Sequence, residues 1–311
     1  MESGEPHSYT GRFAPSPSGP LHFGSLLAAA ASYLDARAHN GRWLLRIEDI
    51  DPPREMAGAD KLIVDALEAY GFEWDGPVLY QSKTTDLHHQ KVQELLDRGL
   101  AYRCSCSRRD LADAADGPLG KIYPGTCRNG TDASEYAIRV RTTADATEFE
   151  DGLQGLVSQR LETESGDFII LRRDGLIAYH LAVVVDDGEQ QITDIVRGID
   201  LMDSTPRQIY LQQLLGYPTP RYLHIPVAMN DDGQKLSKLT GATGVPMDTI
   251  EPVLIAALSA LRLPVTDNLA TAKPAQIWGW AIENWDSQRL RGRQEIAAER
   301  NPLVAVQKSV K

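Results

Sequence analysis

One short segment near the start of the chain carries residues that could bind a nucleotide. His22-Phe-Gly-Ser25 follows the Pro- and Gly-rich segment 12–20 and precedes the apolar run 26–34. This order predicts a strand, a loop and then a helix. The free N–H groups at the start of such a helix, together with the positive end of its dipole, favour a triphosphate. Gly24 would let a purine approach the backbone.

A second segment, Lys235-Leu-Ser-Lys238, could complete the same site, because two ammonium groups would compensate the charge of the phosphates. The Asp-Asp-Gly sequence at 231–233 is typical of a turn and would let this segment hinge. Two lysines at this spacing are more often a solvated surface pair. Their joint occurrence with the first segment favours the nucleotide site.

The elements that would position these residues alternate between short apolar runs and helical patterns. Such alternation indicates an α/β fold with parallel strands joined by helices. The predicted strands span 43–47, 168–171 and 182–185, and the predicted helices span 59–70, 85–98, 205–215 and 250–261. Thr205 is predicted to cap its helix with its hydroxyl group, with Gln208 as the reciprocal amide and Gly216 as the helix end.

Composition limits the classes of protein that this chain can be. Its 311 residues are enough for two or three domains. The first residues lack the pattern of a signal peptide, and no apolar run reaches the roughly 20 residues that span a bilayer, so we expect a cytoplasmic protein without membrane contact. The net charge of -11 argues against indiscriminate binding to polyanions. The basic residues after position 288 form either a solvated helix with a frayed terminus or a surface that faces RNA.

Five segments in a fixed order resemble class I glutamyl-tRNA synthetases. They are residues 12–16, 22–25, 46–49, 197–201 and 235–238. The resemblance implies a Rossmann-type parallel sheet with an inserted zinc-bearing subdomain and a C-terminal helical region. It divides the chain into a first catalytic half (1–103), an acceptor-recognition insert (104–166), a second catalytic half (167–230) and a lysine loop with a helical region (231–311).

The resemblance implies roles in adenylate formation for residues of both nucleotide-binding segments. His22, Lys235 and Lys238 would act on the phosphates, and His22, Gly24, Ser25 and Lys238 would bind ATP, which we expect to arrive with magnesium. Ser25 departs from the general class I signature, which has a second histidine there. No protein nucleophile is needed, because the amino-acid carboxylate itself attacks the α-phosphate.

A glutamate substrate has two carboxylates and one ammonium group, so its pocket should offer guanidinium groups and an opposing acid. The resemblance assigns carboxylates to Arg12 and Arg197, the α-amino group to Glu48 and the side-chain region to Tyr179. The rest of the predicted pocket is the loop Phe13, Ala14, Pro15 and Ser16. In isolation, Arg46, Glu48 and Asp49 could instead be ion pairs at a strand end.

All three cysteines, Cys104, Cys106 and Cys127, fall within one segment of 24 residues. A zinc ion prefers four ligands, so three thiolates would need one more donor. The resemblance supplies the phenolate of Tyr123 and implies one structural zinc ion per chain. The alternative is a group of reduced core cysteines without metal.

The short chain and its cysteine segment resemble a truncated paralogue that forms glutamyl-adenylate without tRNA and then transfers glutamate to queuosine at the wobble position of tRNA(Asp). The expected partners are therefore L-glutamate, ATP and queuosine-containing tRNA(Asp), and we expect a monomer. Arg108, Arg109 and Lys121 are candidate contacts to the anticodon loop. The alternatives are a synthetase that charges a tRNA 3′ end, a ligase that joins amino acids to small molecules, and a catalytically silent module that binds glutamate or nucleotide.

Overall fold

The computed structural model of the chain describes residues 8–229 and 244–297. The α-helices are α1 (Phe23–Ala38), α2 (Ala59–Ala69), α3 (Thr85–Asp97), α4 (Leu161–Glu164), α5 (Tyr179–Glu189), α6 (Thr205–Leu215), α7 (Ile250–Ala260) and α8 (Pro274–Glu283). Short 3-10 helices occur at Pro52–Arg54, Gln81–Lys83, Ile199–Ser204, Asp267–Thr271 and Ser287–Leu290. Within the described ranges, no helix is long and apolar enough to cross a membrane.

The strands alternate with these helices over much of the chain, which confirms the predicted α/β class. They are β1 (Thr10–Phe13), β2 (Arg42–Ile47), β3 (Leu79–Tyr80), β4 (Ala101–Cys104), β5 (Asp116–Gly117), β6 (Gly120–Lys121), β7 (Ala137–Val140), β8 (Thr147–Asp151), β9 (Gly155–Gln159), β10 (Ile169–Leu171), β11 (Asp194–Gly198), β12 (Arg221–Ile225), β13 (Val227–Met229) and β14 (Glu295–Ala297). The strand and helices predicted at 43–47, 59–70, 85–98 and 250–261 are all present, with ends that differ by one residue at most.

Two sets of parallel strands meet side by side at β1 and β11. On one side, β1 pairs with β2 and β2 pairs with β3. On the other side, β11 pairs with β12 and β12 pairs with β8, while β9 runs antiparallel to β8. The N–H of Thr193, just before β11, donates to the carbonyl of Thr10 at 3.0 Å and joins the two sets. Strands β2 and β3 lie on one side of β1, and β11 and β12 lie on its other side. The strand order therefore reverses between β1 and β11, and a crevice is expected at the carboxyl ends of these two strands.

Helix α1 packs across the boundary between the two sets of strands and contacts both β1 and β11. Its leucines Leu26, Leu27 and Leu34 are buried, and so are several of its alanines. The small alanine side chains allow the helix to lie close to the sheet. This packing fixes the first turn of α1 beside the carboxyl end of β1, and the loop 14–22 connects the two elements.

The strand predicted at 182–185 is wrong, because these residues lie in helix α5. The valines have high β propensity, but a continuous apolar run cannot be distinguished from a buried helix by its periodicity. Residues 181–187 of α5 are all buried, and the helix packs against α3 and α6. Burial on several sides therefore explains why this helix lacks a polar face.

Helix α6 has the predicted extent, with Gly216 at its end in the left-handed conformation (φ 75°), but the predicted hydroxyl cap is wrong. Ser204 precedes the helix and already has near-helical backbone angles, because a 3-10 helix runs directly into α6. The Thr205 hydroxyl instead contacts Arg197. The Gln208 side-chain amide has no hydrogen-bond partner among the described residues.

An antiparallel sheet with the order β10, β7, β4 lies outside the parallel strands. Strand β8, in the range predicted for the insert, pairs with β12 of the parallel sheet. The predicted domain boundaries stay a prediction. The C-terminal region is mainly helical, with α7 and α8 packed on α1, although β14 unexpectedly pairs with β13.

Candidate active site

A cavity of about 330 Å³ opens at the carboxyl ends of β1, β11 and β12. Eleven residues predicted to bind glutamate or ATP line it: Arg12, Phe13, Ala14, Pro15, Ser16, His22, Gly24, Ser25, Glu48, Tyr179 and Arg197. The other lining residues include Ser18, Asp200 and the segment 225–228. The predicted Lys235 and Lys238 lie outside the described residues. The cavity therefore brings together all the described residues that were predicted to bind glutamate or ATP.

His22 stands immediately before α1, as the order of the sequence elements predicts. It is the N-cap residue, and its Nδ1 accepts a hydrogen bond from the Ser25 N–H at 3.2 Å. The first turn of α1 contains no acidic residue. The helix therefore presents the positive end of its dipole to the cavity with no carboxylate in its own first turn, which suits an anionic ligand.

The segment that contains the two predicted lysines leaves and rejoins the described structure at this cavity. Before the segment, Val227 and Ala228 of β13 line the cavity wall. After it, Gly244 forms a β-bridge with His22, and the N–H of Val245 donates to Leu21 at 2.8 Å. Both flanks of the lysine segment are thus next to the predicted nucleotide loop.

Arg12 belongs to a buried network of charges that the sequence did not predict. Its Nε donates to Asp187 Oδ1 at 3.1 Å and its Nη2 donates to Asp187 Oδ2 at 3.3 Å. Arg46 Nη2 donates to the same Oδ1 at 2.7 Å. Burial acts to raise the pKa of Asp187, but these two guanidinium groups lower it below its usual value. Asp187, from α5, therefore stays ionised and orients Arg12 along the cavity wall.

Glu48 follows β2 directly and is only 8% exposed. Its nearest cation is Arg46, with Nη2 at 3.4 Å from Oε1. Burial raises the pKa of Glu48 to about 7, although Arg46 and Arg12 act in the opposite direction. A carboxyl group in this state would gain from a ligand that brings a positive charge.

Arg197 enters the cavity from β11 and is 5% exposed. Its Nη2 donates to the Thr205 hydroxyl at 2.7 Å, and its Nε donates to His224 Nε2 at 3.1 Å. Its Nη1 is buried and has no hydrogen-bond partner in the described part of the chain. An anionic ligand could satisfy this nitrogen. Tyr179 lines the same cavity at the start of α5, where burial, and then the charge of Glu48, raise its pKa.

A second cavity of about 320 Å³ adjoins the first, and Ser16, Ser18, Glu48 and Tyr179 line both. Its other lining residues include Asp51, Arg54, Arg172 and Gln81. The Gln81 side chain is fully buried, and its amide nitrogen and oxygen lack partners among the described residues. Sequence reasoning missed Gln81. Its position directly after β3, at the same end of the parallel sheet as Glu48, was the available signal.

The three cysteines and Tyr123 form one cluster beside β4. The three sulfur atoms lie within 4.8 Å of one another, and Cys106 Sγ is 3.6 Å from Cys127 Sγ. The Tyr123 hydroxyl lies 3.3 Å from Cys104 Sγ and 3.7 Å from Cys106 Sγ. With metal–sulfur bonds of about 2.3 Å, the edges of a tetrahedral zinc site measure about 3.8 Å. The three separations of 3.3, 3.6 and 3.7 Å are close to this value, so the cluster could hold a metal ion.

Arg139 of β7 covers this cluster. Its Nε donates to Cys104 Sγ at 3.3 Å, its Cζ lies 3.9 Å from the centre of the Tyr123 ring, and its Nη1 donates to the Asp167 carbonyl. A guanidinium in this position would offset negative charge on the sulfur and phenol groups. Sequence reasoning missed Arg139. His88 of α3 is buried and paired with Asp186 at 2.9 Å.

Comparisons with known proteins show which family this chain belongs to. The family model for the catalytic domain of class I tRNA synthetases (E and Q) matches residues 9–252. A glutamyl-Q tRNA(Asp) synthetase of Pseudomonas syringae pv. tomato is 51% identical over 94% of this chain and 98% of the relative. The enzyme of the same name from Dechloromonas aromatica is 52% identical over 89% of this chain and 94% of the relative.

Two solved structures share the fold at low sequence identity. A glutamate tRNA ligase from Elizabethkingia meningosepticum, in complex with its amino acid, has a TM-score of 0.77 and 23% identity. A glutamate-tRNA synthetase from Elizabethkingia anophelis has a TM-score of 0.77 and 22% identity. Each alignment covers 97% of this chain and 70% of the other. The predicted class I synthetase fold is therefore confirmed.

Proposed function

Because this chain belongs to the class I tRNA synthetases for glutamate and glutamine, and within them to the group of its relatives named glutamyl-Q tRNA(Asp) synthetase, we propose that it glutamylates queuosine in tRNA(Asp). The enzyme first joins L-glutamate and ATP to form glutamyl-adenylate, without tRNA. It then transfers the glutamyl group to queuosine at the wobble position. The convergence of Arg12, Glu48 and Arg197 with the start of α1 in one cavity is the observation that carries the proposal.

In the activation step, the α-carboxylate of glutamate attacks the α-phosphate of ATP, the bond to the β-phosphate breaks, and pyrophosphate leaves. His22 and the Gly24 backbone bind the nucleotide at the start of α1. Lys235 and Lys238 stabilise the negative charge on the departing pyrophosphate, which we expect to be bound to magnesium. The flanks of the lysine segment, at Val227 and Gly244, support this assignment because both lie beside His22 or in the cavity wall.

Selection of glutamate depends on charge complementarity in the same cavity. Glu48 binds the α-ammonium group, and this ligand charge favours the ionised carboxylate. Arg12 binds one carboxylate, Arg197 binds the side-chain carboxylate through its unpartnered Nη1, and Tyr179 packs beside the side chain. A neutral glutamine amide opposite Arg197 would leave a buried cation uncompensated, which costs roughly 2 to 5 kcal/mol.

In the transfer step, a hydroxyl group of the queuosine cyclopentene diol attacks the glutamyl carbonyl and AMP leaves. We assign the acceptor nucleoside to the second cavity, since it shares Glu48 and Tyr179 with the first. The unpartnered amide of Gln81 offers a donor and an acceptor to a polar ligand there. Arg108, Arg109 and Lys121 are exposed on the cysteine-bearing segment and are candidates for contacts with the anticodon loop. A tRNA substrate implies a cytoplasmic location, and we propose that the enzyme acts as a monomer.

We further propose that the cysteine cluster holds one structural zinc ion, with Cys104, Cys106, Cys127 and the Tyr123 phenolate as its four ligands. Three separations among these side chains, 3.3, 3.6 and 3.7 Å, are close to the edge length of a tetrahedral site, which supports the assignment. Zinc would fix the loops of this segment together and so organise the surface that receives the anticodon.

The decisive experiment charges queuosine-containing tRNA(Asp) with labelled glutamate, digests the tRNA and locates the label. We expect the label on the modified wobble nucleoside, and we expect pyrophosphate exchange with glutamate and ATP alone. Label on the terminal adenosine would indicate a synthetase that charges a 3′ end. A complete absence of glutamate-dependent exchange would indicate a silent module and would contradict the proposal.

A further inference from the structure

Two parallel strands place His224 directly beside Arg197. Residues Arg197 of β11 and His224 of β12 are partners in the strand register. His224 is fully buried, and its Nε2 accepts the hydrogen bond from Arg197 Nε at 3.1 Å. The Thr205 hydroxyl lies 3.1 Å from the same Nε2. These contacts fix the plane of the Arg197 guanidinium and leave Nη1 without a protein partner among residues 8–229 and 244–297.

The other side of the His224 ring faces Asp151, at the end of β8. Asp151 Oδ2 lies 2.6 Å from His224 Nδ1. Backbone N–H groups of Leu153 and Gln154 donate to Asp151 Oδ1 at 3.0 and 2.9 Å. A carboxylate can only accept in this arrangement, so the ring proton must be on Nδ1. Nε2 then carries the lone pair that Arg197 Nε–H requires.

We propose that Asp151 and His224 form a positioning pair that aims Arg197 at the side-chain carboxylate of glutamate and thereby determines the preference for glutamate over glutamine. This inference rests on the proposed function, because it assumes that Arg197 binds that carboxylate. Neither Asp151 nor His224 lines the glutamate cavity. Both act through Arg197, and their effect should therefore appear in glutamate binding rather than in ATP binding.

The substitution Asp151→Asn tests the direction of the ring proton. Asp151 Oδ1 accepts from the N–H groups of Leu153 and Gln154, and Oδ2 accepts from the His224 backbone N–H at 3.1 Å besides facing Nδ1. The amide nitrogen of the variant therefore meets N–H donors in either orientation. When the amide oxygen stays with the two donors at the Oδ1 position, the nitrogen takes the Oδ2 position and faces His224 Nδ1. An amide donor there favours the ring with its proton on Nε2. That proton would point at the Arg197 Nε–H, and the guanidinium would have to move.

Two substitutions of His224 separate its two nitrogens. The amide of Asn reaches only the Nδ1 position, whereas the amide oxygen of Gln reaches the Nε2 position and can accept from Arg197. We expect His224→Asn to lose the positioning effect and His224→Gln to keep much of it. His89→Asn is the matched control, because His89 is exposed on α3.

The assay is tRNA-free pyrophosphate exchange with glutamate, glutamine or ATP varied, together with a melting temperature for each variant. For Asp151→Asn and His224→Asn, we expect the KM for glutamate to rise about tenfold or more, with the KM for ATP within about twofold of the unsubstituted enzyme. The ratio of kcat/KM for glutamate over glutamine should fall in both variants. His224→Gln should lie closer to the unsubstituted enzyme, and His89→Asn should match it.

A folded Asp151→Asn variant with an unchanged KM for glutamate would overturn the inference, even if His224→Asn did not fold. Equal kinetics for His224→Asn and His224→Gln, or a parallel rise in the KM for ATP, would also overturn it. Failure of the proposed function gives a different result: the unsubstituted enzyme shows no glutamate-dependent exchange, or Arg197→Ala leaves that exchange intact.

Discussion

Replacing Glu48 by glutamine should make the ligand-free protein more stable while it removes glutamate activation. Glu48 is 8% exposed and its pKa is raised to about 7, from 4.5 in water, chiefly because it is buried. Ionised Glu48 is therefore unfavourable in the empty site. The glutamine side chain has nearly the same shape but needs no charge, so it removes this cost and also the group that would bind the substrate ammonium.

The magnitude follows from the two pKa values. The native state binds the Glu48 proton more tightly than the unfolded chain does, so this group lowers the free energy of unfolding as the pH rises from about 4.5 to about 7. The difference of about 2.5 pH units, at about 1.36 kcal/mol per unit, corresponds to about 3 kcal/mol. We expect the Glu48→Gln variant to exceed the unsubstituted protein by about 3 kcal/mol at pH 8 and by about 1 kcal/mol at pH 5.

Urea-induced unfolding of both proteins at pH 5, 6, 7 and 8 measures this difference. Glu135→Gln is the control, since Glu135 is exposed and the same chemical change there should give a small gap at every pH. Pyrophosphate exchange with glutamate should be lost in the Glu48 variant only. A Glu48 variant that is less stable than the unsubstituted protein at pH 8, or a stability gap that does not change with pH, would refute this reasoning.

Three further predictions concern the other parts of the site. Arg197→Ala should abolish glutamate-dependent pyrophosphate exchange, because the substrate carboxylate loses a buried guanidinium. Arg42 is exposed, so Arg42→Ala should leave the exchange unchanged. Near-normal exchange by Arg197→Ala would contradict the assignment of this cavity to glutamate. Gln81→Leu should lower transfer to tRNA about tenfold or more, and more than it lowers exchange, because it removes the buried amide of the acceptor cavity; equal losses in both steps would contradict that role. Tag-free protein should contain about one zinc ion per chain. Chelator competition should show weaker zinc binding in Tyr123→Phe but not in Tyr136→Phe. Protein that contains no zinc would refute the metal site.

The sequence predicts elements well where local signals and burial agree. Strand β2 and helices α2, α3 and α7 follow clear apolar patterns, and glycine after α2 and α3 marks their ends. The valine run of α5 has the local propensity of a strand but forms a helix, because its buried surroundings decide its conformation. At the start of α6, the sequence predicts the correct first residue but the wrong cap. A 3-10 helix runs directly into α6, so the Thr205 hydroxyl does not cap the first turn.

The lining of the glutamate cavity could be predicted because it consists of short segments with distinctive residue types. The residues that support this lining could not. Asp187 lies 175 positions from Arg12, and His224 lies 73 positions from Asp151, so only the strand order and the packing of α5 bring these partners together. Gln81 gave no chemical signal by itself, since its significance comes from being buried without a partner.

Arg12 and Arg197 stand on opposite sides of the boundary between β1 and β11, so a bound glutamate would connect the two sets of strands. A ligand that binds only when β1 and β11 are side by side stabilises that state and makes local opening between these strands rarer. The amide of Thr193, whose hydrogen bond crosses the boundary to Thr10, should accordingly exchange its hydrogen with solvent more slowly when glutamate is present. Bound glutamate would then hold the two sets of strands together before ATP binds.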